Sequence, residues 1–205
     1  MARPVDLKGI KKRASEALER TVKRYERLSD TLDYPIVRWV AEMTAVEAHS
    51  VWERYAEQRL VAAINHYPQH FIDEYGVRGV TRISAGLAVY LARQGRRYFD
   101  FRSTSDLIAR GDHLVSDARN PFRLLPQLHR QYLDALSAVR NCVVHRSEAA
   151  TVAYKRQLKA TYSIIAAPEV GEFLNAKDYR AASPARYKSR LHGLVAIVTQ
   201  SLSDT

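Results

Sequence analysis

The stretch Leu125-Pro126-Gln127-Leu128-His129-Arg130-Gln131-Tyr132-Leu133-Asp134-Ala135-Leu136-Ser137-Ala138-Val139-Arg140-Asn141-Cys142-Val143-Val144-His145 decides the fold class. Leu125, Leu128, Tyr132, Leu136, Val139 and Val143 recur at intervals of three and four, the period of a helix with one buried face rather than of a strand. Pro126 starts or kinks this helix, and the pattern breaks between His145 and Ser147. With Leu125 at zero and about 100° per residue, the stripe spans about 300° to 20°, Asn141 falls at ~160° and His145 at ~200°. Both therefore point away from the helix's own core, and Arg140, near ~60°, flanks it. Arg130, Asp134 and Ser137 share the polar face. Asp134 precedes His145 by about 16 Å of ideal helix, too far to orient that imidazole.

The same periodicity runs outward in both directions. Lys8 to Asp30 is highly charged, with Ile10, Ala14, Ala17, Leu18, Val22, Tyr25 and Leu28 on one face. A second helix opens at Asp33-Tyr34-Pro35 and reaches about Asn65 before Pro68 stops it. Its expected core face is Ile36, Val40, Met43, Val51, Tyr55 and Val61, widened by Trp39 and Val46, with Glu47 inside that face. Short helices are expected over Gln69–Tyr75, Ser84–Gln94 and Ser105–His113, and a longer one over Glu148–Ile165. Ser183-Pro184 reads as a cap for a last helix from Ala185 to about Leu202. No segment alternates as a strand does, so the expectation is an all-α bundle of long antiparallel helices. Residues 1–32 form a basic amphipathic helix, an extension or part of the bundle, and residues 33–205 form one helical domain.

Composition narrows the function. Net charge is +10 over 205 residues, which favours a polyanionic partner such as nucleic acid. The excess concentrates in residues 1–27 and 78–110, each net +5. The single Cys142 excludes an intramolecular disulfide and reads as a small apolar filler. No apolar run spans a membrane and no signal-type core follows Met1-Ala2-Arg3-Pro4, so a cytoplasmic protein without membrane attachment is expected. No His-Glu-x-x-His or close His pair suits a metal, since Pro68 interrupts His66 and His70, and no Gly-rich phosphate loop is present. No cofactor or metal is expected.

Arg140-Asn141 followed by His145 pairs an anion-binding cation with a titratable ring. Chance supplies about one Arg-x4-His pair in such a chain. Arg59/His66, Arg123/His129 and Arg186/His192 have similar spacing, but only Arg140 is followed by a short polar residue. Glu47, a charge on an apolar face, needs a partner. That partner is expected to be Arg140, with Arg54 or another cation as the alternative. The linker Gly95–Thr104 interleaves Arg96, Arg97 and Arg102 with Tyr98, Phe99 and Phe101. Such a segment either stacks bases beside phosphate-binding cations or anchors itself through buried rings. Arg96, Arg97, Arg102, Arg130 and Arg146 are the expected RNA-binding cations.

With Arg140-Asn141 and His145, the acidic Glu47 between Val46 and Ala48, and the tail Gly171-Glu172-Phe173-Leu174, Ser183-Pro184 and Arg186-Tyr187, the chain resembles the HEPN superfamily over roughly residues 35–202. That resemblance implies an up-and-down helical bundle, with the basic first helix as an addition. It also implies a symmetric homodimer in which two motif copies share a cleft. Similar proteins are metal-independent endoribonucleases in toxin–antitoxin, antiviral or RNA-processing systems, so an antitoxin or other regulatory partner is implied. Other members lack the motif and act as nucleotide-binding or scaffolding modules.

The chemistry agrees with the residues. RNA carries its own nucleophile, the 2′-hydroxyl, so cleavage needs a base, an acid and cationic help for the phosphorane. His145 suits proton transfer, Arg140 suits the charged phosphate oxygens, and Asn141 can orient ribose, phosphate or histidine. The expected ends are a 2′,3′-cyclic phosphate or 3′-phosphate and a 5′-hydroxyl. The competing reading is a non-catalytic module that binds RNA or DNA or nucleotides and dimerises.

Overall fold

The computed structural model describes residues 6–78, 81–180 and 188–205. Within them the chain is all-helical: α1 (Leu7–Ser29), α2 (Tyr34–His66), α3 (Gln69–Glu74), α4 (Ala85–Ala92), α5 (Thr104–Leu114), α6 (Gln127–His145), α7 (Glu148–Tyr162), α8 (Val170–Asn175) and α9 (Arg190–Asp204). Two short 3-10 turns, Asp117–Arg119 and Pro121–Leu124, join α5 to α6. Capping residues set several starts. Asp6, Ser84, Ser103 and Ser147 each accept a backbone N–H from the first turn of the helix that follows, which satisfies a donor that the helix itself cannot. Two ends turn on residues with positive φ, Arg146 (48°) after α6 and Ser163 (58°) after α7.

The 33-residue α2, about 50 Å long, is the axis of the bundle and packs against α1, α4, α6, α8 and α9. Its buried face is Val37, Val40, Ala41, Thr44, Ala45, Ala48, His49, Trp52, Tyr55, Ala56 and Leu60. This corrects the expected stripe, because Ile36 and Trp39 are exposed and Met43, Val51 and Val61 only half-buried. Alanines decide the phase: neighbouring helices approach most closely where side chains are smallest, and a stripe drawn through large residues alone misses them. Gly171 extends the same logic to α8. A Cβ there would lie 2.7 Å from that of Arg38, so only glycine lets α8 sit this close to α2. Arg38 in turn pairs with Glu169 at the start of α8 and with Glu172 within it.

The basic first helix is built into the bundle. Ile10, Ala14, Leu18, Thr21 and Tyr25 are buried against α2 and α9, and all but Thr21 belong to the core face that the spacing predicts. A polar cluster fixes its C-terminal half. Tyr25 donates to Asn175 Oδ1 (2.6 Å), His192 contacts Glu26 Oε1 (3.1 Å) and Ser189 (2.7 Å), and Lys188 reaches Glu26 (3.4 Å). The last helix begins at Arg190 rather than Ala185, because Ser189 is extended and bridges Lys177. The anticipated cap Ser183-Pro184, and Arg186-Tyr187, lie outside the described residues. No helix among the described residues is long and apolar enough to cross a membrane.

In α6 the stripe residues Tyr132, Leu136, Val139 and Val143 are buried as their spacing predicts, and Leu125 just before the helix is buried too. The polar face is not uniformly open, however. Ser137 is 6% exposed, and Asp134 caps α5 by accepting from the backbone N (2.7 Å) and Oγ1 (3.2 Å) of Thr104. With α2, α5, α7, α8 and α9 around it, α6 is covered on most sides at its middle; its start is exposed, Leu128 of the expected stripe included, and it opens again at its C-terminal end.

Candidate active site

That open end carries the motif. The Arg140 guanidinium lies beside its two companions, with Nη1 donating to Asn141 Oδ1 (2.8 Å) and standing 3.4 Å from His145 Nε2. A guanidinium only donates, so Nε2 is the accepting nitrogen and the proton of a neutral His145 ring sits on Nδ1. Helix spacing brings the three together: Asn141 and His145 are one turn apart on the outer face, and the long Arg140 side chain bends outward from the edge of the stripe. Arg140 and Asn141 are half-buried and His145 is exposed, so a ligand can reach all three.

They line one side of a cleft of about 690 Å³ whose opposite walls come from α2 and from the segment between α4 and α5. On the α2 side the structure adds groups that sequence reasoning missed. His49 is buried, with Nε2 3.0 Å from Ser137 Oγ and Nδ1 3.4 Å from Glu53 Oε2. The Ser137 hydroxyl also lies 3.0 Å from the Leu133 carbonyl. When it donates there it accepts from His49, and α2 is thereby tied to α6 one turn below Arg140 and Asn141. Glu57 pairs with Arg93 at 2.5 Å, and this carboxylate holds the Arg93 guanidinium more firmly in its charged form. The signal available in the sequence was the His49/Glu53 spacing of one helical turn, but nothing local said that Ser137 would face it.

The segment from Tyr98 to Arg102 forms the third wall and alternates in exposure in the manner of a strand. Phe99 is buried and Phe101 half-buried, in edge-to-face contact with centroids 5.8 Å apart. Tyr98, Asp100 and Arg102 between and beside them are exposed and line the cleft. Buried Arg110 of α5 pins the segment. It donates to the carbonyls of Asp100 (2.6 Å) and Ala92 (3.3 Å), and its guanidinium lies 5.1 Å from the Phe99 ring centroid. The two phenylalanine rings therefore anchor the segment, and all five residues from Tyr98 to Arg102 border the cleft.

The expected accessory residues divide. Glu47 does not hold Arg140; it pairs with Arg24 of α1 at 3.1 Å. The reason is the shifted phase of α2, which puts Glu47 at the half-exposed seam with α1, where a carboxylate stays solvated. Arg102 lines the cleft, together with Arg54 and Arg93. Arg96 pairs with Asp100 (3.0 Å), and the Arg97 guanidinium lies 5.2 Å from the Tyr98 ring centroid. Arg130 is turned to structural use, donating to the carbonyls of Leu125 (2.8 Å) and Arg123 (3.0 Å). Arg146 is exposed at the left-handed end of α6. Cys142 is half-buried against the core, consistent with a filler.

Among the described residues, no group of three or more His, Cys, Asp or Glu side chains is arranged to hold a metal ion. The arrangement offers one imidazole with an accepting nitrogen, a guanidinium free to change partners, and further cations around a cleft wide enough for a nucleotide. Comparisons of the chain with models of known families, with curated proteins and with solved structures return no match.

Proposed function

We propose that the protein is a metal-independent endoribonuclease of the HEPN type. The observation that carries this reading is the contact of one Arg140 guanidinium with both Asn141 and His145 at the edge of a cleft that Arg54, Arg93 and Arg102 also line. When RNA enters, Arg140 moves from His145 Nε2 to the scissile phosphate, where its fork matches two non-bridging oxygens as they gain charge. Nε2 is then free to take the proton of the 2′-hydroxyl, which attacks phosphorus. The P–O5′ bond breaks, the 5′-oxygen takes a proton from a second acid, and a 2′,3′-cyclic phosphate is left. Asn141 orients the ribose or phosphate.

A symmetric homodimer supplies that acid as the second copy of His145, one ring acting as base and the other as acid. Such an enzyme fits a cytoplasmic toxin or antiviral effector restrained by an antitoxin or regulatory protein. The deciding experiment compares wild type with His145→Ala on several single-stranded RNAs in EDTA. Loss of cleavage by a variant that stays folded and still binds RNA supports the enzyme. Equal cleavage by both proteins removes His145 from the site, and no cleavage by either supports a non-catalytic module that binds RNA, DNA or nucleotides.

A further inference from the structure

We propose that the segment Tyr98–Arg102 is a nucleobase subsite that takes an unpaired guanine beside the scissile phosphate. The inference rests on the RNA-cleaving reading of the same cleft and names what that cleft selects. Tyr98 is 66% exposed at the cleft wall. Set in the cleft wall, its face is open to a base, and base stacking on an aromatic ring is worth about ten-fold in affinity or more. Arg97 covers the ring from 5.2 Å, so a base on the opposite face completes a cation–ring–base stack.

Asp100 supplies the choice of base. Unlike Glu57, which Arg93 holds at 2.5 Å with both side chains half-buried, Asp100 is well exposed in the cleft, so its remaining accepting positions are open to a neutral hydrogen-bond donor. On the Watson–Crick edge guanine alone offers two adjacent donors, N1–H and the N2 amino group, and that edge is open only in an unpaired nucleotide. Arg96 reaches Oδ1 of Asp100 at 3.0 Å with both side chains well exposed. A carboxylate has about four accepting positions, so Arg96 steadies Asp100 without using it up. Arg102, two residues on and in the same cleft, meets the phosphate of the bound nucleotide. The buried rings and Arg110 keep the backbone fixed beneath the three exposed groups, so the subsite is preformed.

The test is titration of the full-length protein with 3′-GMP, 3′-AMP, 3′-CMP and 3′-UMP, beside cleavage mapping on a single-stranded RNA containing all four bases. Wild type is expected to bind 3′-GMP about ten-fold or more tightly than the others. Asp100→Asn should erase that preference while leaving 3′-AMP affinity within about two-fold, since its stacking surface is untouched. Tyr98→Ala should weaken all four about ten-fold, and Tyr98→Phe should restore them. Equal affinities in wild type, or a guanine preference that survives Asp100→Asn, overturn the subsite. RNA cut with no bias toward guanine likewise refutes it while the cleavage reading stands. Guanine-selective binding without any cleavage leaves the subsite standing and refutes the enzyme.

Discussion

Arg110→Met tests whether the cleft wall is held from beneath. Arg110 is 4% exposed, donates to two carbonyls and covers the Phe99 ring, while burial pushes its pKa below the usual arginine value. Two hydrogen bonds from a charged donor are worth about 1.5–3 kcal/mol each, and the contact with Phe99 about 0.5–2 kcal/mol. Against this, methionine relieves the cost of keeping a guanidinium out of water, which is several kcal/mol. The carbonyls of Ala92 and Asp100 lose their donor, and the net expectation is a loss of roughly 2 kcal/mol. In a domain of this size that is about 4–8 °C in Tm. Urea denaturation gives the free energy, and hydrogen exchange shows where it is lost, with protection expected to fall first over residues 96–102. Arg110→Met with unchanged or raised stability and full protection there would refute the argument, since the buried charge would then cost more than its contacts return.

Three further expectations follow from other contacts. Gly171→Ala should destabilise by about 1–3 kcal/mol through overpacking against Arg38, read as a lower urea midpoint at unchanged m; no change would mean that α8 shifts freely. A double-mutant cycle on Glu47→Gln and Arg140→Met should be additive within about 0.5 kcal/mol, because Glu47 is paired with Arg24; coupling well above that would restore the Glu47–Arg140 link. Acid should loosen the tie between α1 and α9. Burial lowers the pKa of His192, only partly offset by Glu26; burial also raises that of Glu26, but its bonds to His192 and Lys188 outweigh this and leave it lowered. The folded state therefore resists protonation at both. Stability is full above pH 6.5, falls as pH drops from there through the folded pKa of His192, and falls again below 4.5 as Glu26 takes up a proton. Melting curves of wild type and His192→Gln should diverge below pH 6.5, with the variant flatter; parallel curves would show that His192 is not the titrating group.

Helix type and the phase of α6 were legible because large apolar residues recur there without interruption. The phase of α2 was not, since six alanines (Ala41, Ala45, Ala48, Ala56, Ala62 and Ala63) carry much of its buried face and contribute little to a stripe of bulky side chains. That one error moved Glu47 from core to seam and hid His49, which looks like an ordinary polar residue until α6 is laid against it. The motif was readable as a local pattern, because Arg140, Asn141 and His145 lie within two turns of one helix. The cleft facing it was not, because it depends on where two other elements pack. The linker stood as two alternatives in composition alone, and the structure shows the anchoring one, through Phe99 and Phe101.

The alternation from Tyr98 to Arg102 has an evolutionary corollary. Phe99 and Phe101 are held by the core, while Tyr98, Asp100 and Arg102 are exposed at the cleft, with side chains that touch only surface neighbours such as Arg97 and Arg96. Substitutions at the second set carry little stability cost, so the lining of this wall can drift in chemistry while its backbone stays in place. Homologues that differ at 98, 100 and 102 but keep aromatic residues at 99 and 101 would retain the same wall and present a different face to their ligands.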